Sequence, residues 1–228
     1  MKNLHLSNLT NLLMGLILLT LWFLLVGIAG VVLSRRWPNQ KEWTRKLIHI
    51  GMGPVILIAW IAAIPRIISL GIGIVTTFGI FLNYKLQLVS VIEDINRHSY
   101  GTISYGLAVT TLLWLYWPNE PTSIVAGLMV MGFGDGFAGL LGSTFSSPSW
   151  KVWGQRKSVI GTFTMLSVSI LVLLIISSFS PAHISYKQIV DLSIIATMLE
   201  QIAIIGLDNF IVPLVISYLW QICVPLVT

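Results

Sequence analysis

One acidic residue stands inside a glycine-rich apolar stretch of the sequence. The segment GFGDGFAGLLG surrounds Asp135 with small residues. A carboxylate within an apolar membrane span costs at least about 2.5 kcal/mol, so such residues usually face a polar cavity and carry function. On a helix, Ala138, Gly139 and Gly142 share a face with Asp135, which leaves room for a ligand beside the carboxylate. The pattern favours a binding site at Asp135.

This stretch has two other interpretations, of which one stays open and the other is excluded. The glycines could form a close-packing seam, with Gly132 and Gly136 as a GxxxG pair and Asp135 capping a neighbouring helix. Gly134, Gly136 and Gly139 also spell GxGxxG, but no strand or βαβ pattern precedes them. The dinucleotide-binding interpretation is therefore excluded, whereas the packing interpretation stays open.

The segment TRKLIHIG carries a candidate cationic corner. Arg45, Lys46 and His49 are spaced three and four residues apart, so they lie near one another on a helix surface. A histidine there can bind phosphate or transfer a proton near neutral pH. The alternative is that the two cations only mark a membrane boundary and that His49 packs.

A second lysine precedes a predicted helix in RKSVIGT. This segment places Lys157, Ser158 and Gly161 where a helix begins, and free backbone N–H groups at a helix start favour an anion. A boundary lysine that only sets orientation is an equally weighted alternative.

Two further acids occur in LEQIAIIGLDNFIVPL. Glu200 and Asp208 are two turns apart, about 80° around a helix, with Gly206 and Pro213 loosening the backbone. Two acids at a flexible turn suit metal or phosphate chemistry. The alternative is that Asp208 and Asn209 simply form a turn between two spans.

These residues must be positioned by membrane helices. The chain has 228 residues, of which 56% are hydrophobic and 9% charged, whereas soluble domains have about a quarter charged. We predict an all-α integral membrane protein, a single domain over residues 1–228 built as a polytopic bundle of about eight transmembrane helices. Its single cysteine, Cys223, excludes an intrachain disulfide and a cysteine-rich metal site. The apolar runs lie at 12–33, 47–64, 67–82, 102–117, 122–141, 159–180, 189–207 and 209–226.

The distribution of cations predicts the orientation. Ten Lys and Arg residues fall in the loops 34–46, 83–101 and 142–158, and only Lys2, Arg66 and Lys187 fall on the alternate side. Short loops rich in Lys and Arg stay in the cytoplasm, so both termini are expected outside it. The net charge of +5 is then an orientation signal, helped by anionic lipid headgroups, and no nucleic-acid motif accompanies it.

With that topology, both signs of charge gather at the cytoplasmic face. Carboxylates ligate Mg²⁺ and cations neutralise phosphate oxygens, so this mixture suits a phosphate chain held with a divalent cation. In the loop EDINRHSYGT, Glu93, Asp94 and His98 are expected to be solvated, and Arg97, Ser99 and Gly101 are weaker site candidates.

The order of these motifs resembles a known family. RKLIHI, SYGT, GDGFAGLLG, KSVIGT, LE and GLDNFIVPL follow one another over residues 44–214 as in the CTP-dependent polyprenol kinases. The chain is most similar to phytol kinases of cyanobacteria and plastids, and dolichol kinases are more distant. The resemblance implies a membrane kinase that transfers the terminal phosphate of CTP to the primary hydroxyl of an isoprenoid alcohol, with Mg²⁺. Because the first span starts too early for a transit peptide, a cyanobacterial membrane is expected.

The resemblance also implies roles for individual residues. Asp135 and Asp208 are expected to bind Mg²⁺, Lys46 and Lys157 to bind phosphate oxygens, and His49 or an acid to orient the hydroxyl. The remaining candidate nucleotide-binding positions are Arg45, Gly134, Gly142, Ser158, Gly161, Glu200 and Asn209. One position departs from the family, because Ile160 stands where relatives have Glu. That departure bears on nucleotide preference or on activity itself.

Two alternatives to the kinase remain. A membrane cytidylyltransferase would also need CTP, Mg²⁺ and acids, but it would join the nucleotide to a lipid phosphate and release pyrophosphate. A transporter would instead have its acids near the bilayer midplane, often in paired broken helices. The acids here gather at one face, and the sequence has no evident inverted repeat.

Overall fold

Apolar helices occupy most of the chain in the computed structural model, which describes residues 2–86, 100–180, 184–204 and 206–224, with side chains from residue 9 onward. Glu93, Asp94, Arg97, His98 and Ser99 lie outside the described residues. In chain order the elements are α1 (Lys2–Arg36), α2 (Lys41–Met52), α3 (Pro54–Ile61), α4 (Arg66–Leu86), α5 (Gly101–Tyr116), α6 (Pro121–Met129), a π-helical segment (Val130–Asp135), α7 (Gly136–Thr144), β1 (Ser149–Val152), β2 (Gln155–Ser158), α8 (Val159–Ser177), α9 (Tyr186–Ile202) and α10 (Asp208–Cys223).

Within the part of the chain that the structure describes, five helical stretches are long and apolar enough to cross a membrane. They are Leu9–Arg36, Lys41–Ile61, Arg66–Leu86, Pro121–Thr144 and Val159–Ser177. Helices α5, α9 and α10 have 16 or 17 residues, fewer than the roughly 20 that a crossing requires. The predominantly helical membrane fold is thus supported, but the predicted count of about eight transmembrane helices is not confirmed.

A short β-hairpin connects α7 with α8 in this otherwise helical fold. Strands β1 and β2 pair antiparallel from Ser149↔Ser158 to Val152↔Gln155. Trp153 and Gly154 form the two-residue turn with φ of 49° and 79°, the positive values that such hairpin turns require. The segment has neither an Asn-Gly turn nor alternating β-branched residues, so its sequence gives little sign of a hairpin.

The continuous stretch from α6 through the π-helical segment to α7 lies at the centre of the bundle. Ile124, Val125, Val130 and Met131 are fully buried. Glycines let neighbouring helices approach this stretch closely. A Cβ at Gly132 would lie 3.4 Å from the Cα of Gly53 at the junction of α2 and α3. The central helix therefore holds Asp135 against elements on several sides.

A break between α9 and α10 corrects one expectation from the sequence. Glu200 and Asp208 do not lie on one helix, because α9 ends at Ile202 and α10 begins at Asp208. Gly206, with φ of 85°, allows the chain to turn there. The two acids therefore lie on either side of a helix break. The angle of about 80° expected on one continuous helix does not describe how their side chains are arranged.

Candidate active site

Three acids from distant parts of the sequence form a buried cluster. Asp135 ends the π-helical segment, Glu200 lies in the last turn of α9, and Asp208 begins α10. Each offers a carboxylate oxygen within 4.8 Å of the oxygens of the other two, and all three residues are at most 7% exposed. Carboxylates this close repel one another unless cations lie nearby, so the cluster requires positive charge.

Two lysines supply part of that charge. Nζ of Lys46 donates to Oδ2 of Asp135 at 2.6 Å and to the Asp135 carbonyl at 3.3 Å. Nζ of Lys157 donates to the Glu200 carboxylate and, at 2.8 Å, to the Glu200 carbonyl. Both lysines are buried. Three carboxylates face two ammonium groups, so one negative charge of the cluster can be balanced by a further cation.

His49 lies beside the same carboxylate. Its Nε2 is 3.6 Å from Oδ2 of Asp135, beyond hydrogen-bond geometry, and has no hydrogen-bond partner among the described residues. The ring packs edge-on against Tyr105, with 4.9 Å between ring centroids. The Tyr105 hydroxyl is also buried without a described partner. Two unsatisfied polar groups thus adjoin the acid cluster.

Tyr105 was not among the residues predicted from sequence. It lies one helical turn after Gly101, in the first turns of α5. A tyrosine in a membrane helix usually packs against neighbouring side chains, and only its position beside His49 distinguishes Tyr105.

Glu42 and Gln201 were also not predicted from the sequence as residues near the site. Glu42 accepts a 2.6 Å bond from Arg45, and Gln201 donates to Glu200 and to Thr162, both at 2.9 Å.

The start of α8 adjoins the lysine of β2. Ser158 caps α8, and its Oγ accepts a 3.1 Å bond from the Gly161 N–H. Lys157 lies in β2, immediately before this cap, so the lysine precedes the helix as predicted. Gly142 of α7 packs here, since a Cβ on it would lie 2.8 Å from Ser158 Oγ. The absence of a side chain at Gly142 keeps α7 close to the helix start.

The glycines of GFGDGFAGLLG serve two purposes. A Cβ at Gly139 would overlap Cε of Lys46, so this glycine makes space for the lysine that reaches Asp135. Gly134 instead packs against α8, because a Cβ on it would lie 2.6 Å from Sδ of Met165. Gly134 is absent from the cavity lining, so the structure does not bring it together with the other candidate nucleotide-binding residues. For Gly134 the packing interpretation holds.

A single cavity connects these residues with the apolar interior. It has a volume of about 770 Å³. One end of the cavity, the charged end, is lined by charged and polar residues and two glycines: Arg45, Lys46, His49, Asp135, Gly142, Lys157, Ser158, Gly161, Glu200, Asp208 and Asn209. Asn209 has a buried Oδ1 without a described partner, and its backbone N–H donates to Asp208 at 3.0 Å. Apart from Gly134, and from Arg97 and Ser99, which lie outside the described residues, the predicted site residues therefore line one space, together with Ala138 and Gly139.

Ile160, the position that departs from the family pattern, does not line this cavity. It is half-buried in the first turn of α8, and its N–H donates to Ser147 at 3.4 Å. The neighbouring residues Ser158, Gly161 and Thr162 do line the cavity. The side chain at 160 is therefore beside the site but not part of its wall.

The donor set fits a magnesium ion. Mg²⁺ prefers oxygen ligands and is usually held by one or two carboxylates together with substrate phosphates. Asp135, Glu200 and Asp208 offer such oxygens, and Asp208 makes no ion pair with a lysine among the described residues. The cluster can accordingly hold a divalent cation and, through its lysines, phosphate oxygens.

Comparison with known proteins gives several relatives of one kind. The chain is 34% identical over 205 residues to a phytol kinase of Synechocystis sp., covering 86% of this chain and 88% of that protein. It is 26% identical to phytol kinase 1, chloroplastic, of Arabidopsis thaliana, covering 80% and 66% of the two chains. A dolichol kinase of Saccharomyces cerevisiae is 27% identical over half of this chain and 21% of its own length. No protein-family profile and no solved structure matches.

Proposed function

The chain belongs to the family of phytol kinases and related polyprenol kinases, and from this we propose that it transfers the γ-phosphate of CTP to an isoprenoid alcohol, with phytol as the acceptor and phytyl phosphate as the product. One observation carries the proposal. The acid–lysine cluster shares a cavity with an apolar arm lined by α1, α3, α4 and α5. A phosphate donor and a lipid chain can therefore bind next to each other in one space, the donor at the charged end and the lipid chain in the apolar arm.

The polar end is suited to the triphosphate. Lys46 and Lys157 provide ammonium groups within reach of the acids, and Arg45 contributes a third cation at the cavity wall. The start of α8 adds backbone N–H groups and a partial positive charge. In phosphoryl transfer the protein mainly positions the reactants and stabilises charge, so these groups supply what the donor needs.

We assign Mg²⁺ to Asp135 and Asp208, with Glu200 as a third carboxylate of the same cluster. When bound, the ion would neutralise charge on the phosphate oxygens. Asp135 and Glu200 are each also held by a lysine, which fixes the two carboxylates before the substrates arrive.

The acceptor hydroxyl belongs where the polar end meets the apolar arm. Its oxygen would attack the γ-phosphorus, a new oxygen–phosphorus bond would form, the bond to the β-phosphate oxygen would break, and CDP would leave. The proton passes to His49 or to an acid of the cluster. Nε2 of His49 has no partner among the described residues, so it is free to orient the hydroxyl or to accept its proton.

The membrane placement is also part of the proposal. We place the charged end of the cavity at the cytoplasmic face, where CTP is available, because ten of the thirteen Lys and Arg residues fall in loops predicted to face the cytoplasm. The isoprenoid chain then lies among the helices, in the apolar layer.

The fate of labelled CTP tests the proposed reaction. Phytol incubated with purified protein, Mg²⁺ and γ-labelled CTP should become labelled, and α-labelled CTP should yield labelled CDP and unlabelled lipid. Asp208→Asn provides the background, because it removes a proposed metal ligand without breaking a lysine pair. Label reaching lipid only from the α position, with a lipid phosphate as acceptor, would replace the kinase with a cytidylyltransferase.

A further inference from the structure

The apolar arm of the cavity follows α4 and α5 away from the charged end. These helices run antiparallel in close contact, because Gly106 packs against Thr77, and Gly73 packs against Thr110 and Leu113. Proceeding from the charged end, the arm is lined on α5 by Tyr105, Gly106, Val109 and Leu113 and on α4 by Ile80, Thr77, Thr76, Ile72 and Ser69. The small residues at these contacts hold α4 and α5 close together, so the two helices form one continuous wall of the arm.

The far end of the arm is closed. Ile64 is 1% exposed, and Leu19 and Leu113 are each 5% exposed, so all three are packed on their outer sides. The backbone of Ile64 is held in place, since its carbonyl accepts bonds from Trp117 Nε1 at 2.9 Å and from Ser69 Oγ at 3.4 Å. The side chain of Ile64 therefore ends the arm at a fixed position.

The near end is marked by the two unsatisfied polar groups, the Tyr105 hydroxyl and Nε2 of His49. From Tyr105 to Leu113 along α5 the arm is about 12 Å long, and from Ile80 to Ser69 along α4 about 16 Å, at 1.5 Å per residue. This length suits an isoprenol of a few units and is far too short for a dolichol-sized chain.

We propose that this arm is a closed sleeve, lined by α4, α5 and their neighbours and ended by Ile64, that selects the acceptor by the length of its hydrocarbon chain. The inference rests on the proposed function for its occupant, the chain of the isoprenoid alcohol. The cavity volume of about 770 Å³ includes the charged end, so only part of it is left for the chain. Pockets of roughly 300–1,000 Å³ hold a single ligand of drug size, which agrees with one short chain.

Substitutions at two depths of the sleeve test this selection. Ile64→Ala should lengthen the sleeve and shift the preferred acceptor to a longer isoprenol. Val109→Phe, halfway along, should shift it to a shorter one. The measurement is kcat/KM with γ-labelled CTP for isoprenols of two to six isoprene units. We expect the ratio between adjacent lengths to change by about tenfold or more, as for one misfitting apolar group in a pocket.

Val75→Phe is the matched control. Val75 lies on α4 at 71% exposure, outside the cavity lining, so this substitution adds the same bulk without entering the sleeve. Its length profile should equal that of the wild type. An unchanged profile in active Ile64→Ala and Val109→Phe proteins would overturn the sleeve while leaving the kinase assignment intact.

A binding measurement distinguishes the proposed kinase reaction from the proposed sleeve even when a variant has lost its activity. In a Cys223→Ser background, phytol should protect Val109→Cys from a thiol reagent and leave Val75→Cys unprotected. Protection without phosphorylation of any isoprenol by the wild type would contradict the proposed reaction and support the sleeve. Absence of protection would overturn the sleeve, whatever the activity.

Discussion

The ammonium of Lys46 in α2 lies 2.6 Å from the carboxylate of Asp135, 89 residues further along the chain. Both residues are buried, at 9% and 7% exposure. Asp135 is therefore the charge partner of a buried lysine as well as a candidate metal ligand. Considered without its partner, an Asp-to-Asn change at 135 would only remove a charge from an apolar span. The pair changes that expectation, because the substitution also removes the carboxylate to which the buried Lys46 donates.

Asp135→Asn should lose both activity and stability. Loss of a charged group that stabilises the reacting phosphates should lower kcat by about a hundredfold or more. Loss of the charge-assisted hydrogen bond from Lys46 should lower the free energy of unfolding by about 2 kcal/mol, which a melting curve in detergent would detect. Adding Lys46→Met should recover most of the stability but none of the activity. Full activity in a folded Asp135→Asn protein would return this residue to a purely structural role.

Gly139→Ala should impair catalysis more than folding. The new Cβ would occupy the place of Lys46 Cε, and a flexible lysine can move aside at little cost in stability. Its ammonium would stay beside Asp135 but would be displaced, and a displacement of about 1 Å in a catalytic group can lower the rate about a hundredfold. The control is Gly79→Ala in α4, where a Cβ meets nothing within 4 Å. Equal kcat values for the two variants would show that the Lys46 position is unimportant.

Ile160→Glu should leave the Mg²⁺ and CTP requirements unchanged. The residue lies outside the cavity wall, so a carboxylate there has no direct access to the nucleotide. We expect both half-saturating concentrations to stay within about twofold of the wild-type values, as for substitutions away from a site. Val159→Glu, at an exposed position in the same turn, controls for an added acid near the helix start. A lower requirement for either ligand in Ile160→Glu alone would place position 160 in the site.

The orientation of the charged end can be measured by cysteine labelling. In a Cys223→Ser background, single cysteines at Asn39 and Ser149 should react with an impermeant reagent only from the cytoplasmic side. A cysteine at Asn119, at the opposite end of the central helix, should react only from the other side. The expectation follows from the bias of Lys and Arg toward one face. Labelling of Ser149 and Asn119 from the same side would contradict this topology.

Local patterns in the sequence were sufficient to identify most of the candidate site. Asp135 and Glu200 stand out because acids are costly in apolar segments, and Lys46 with His49 because their spacing places them on one helix face. The hairpin was missed, since its Trp153–Gly154 turn lacks the usual signals. The packing of Gly134 against α8 was not evident either, because a glycine in a motif looks the same whether it faces a ligand or a neighbouring helix.

The sequence by itself determined that the chain is a helical membrane protein and which residue types could carry chemistry, because hydrophobicity and spacing act over one or a few helical turns. Only the tertiary structure decided which acid pairs with which lysine, how Glu200 and Asp208 meet across a helix break, and where the apolar arm ends at Ile64. The two lysine–acid pairs join residues 89 and 43 positions apart. They depend on how closely helices pack, and that distance is set by the side chains of both partners together.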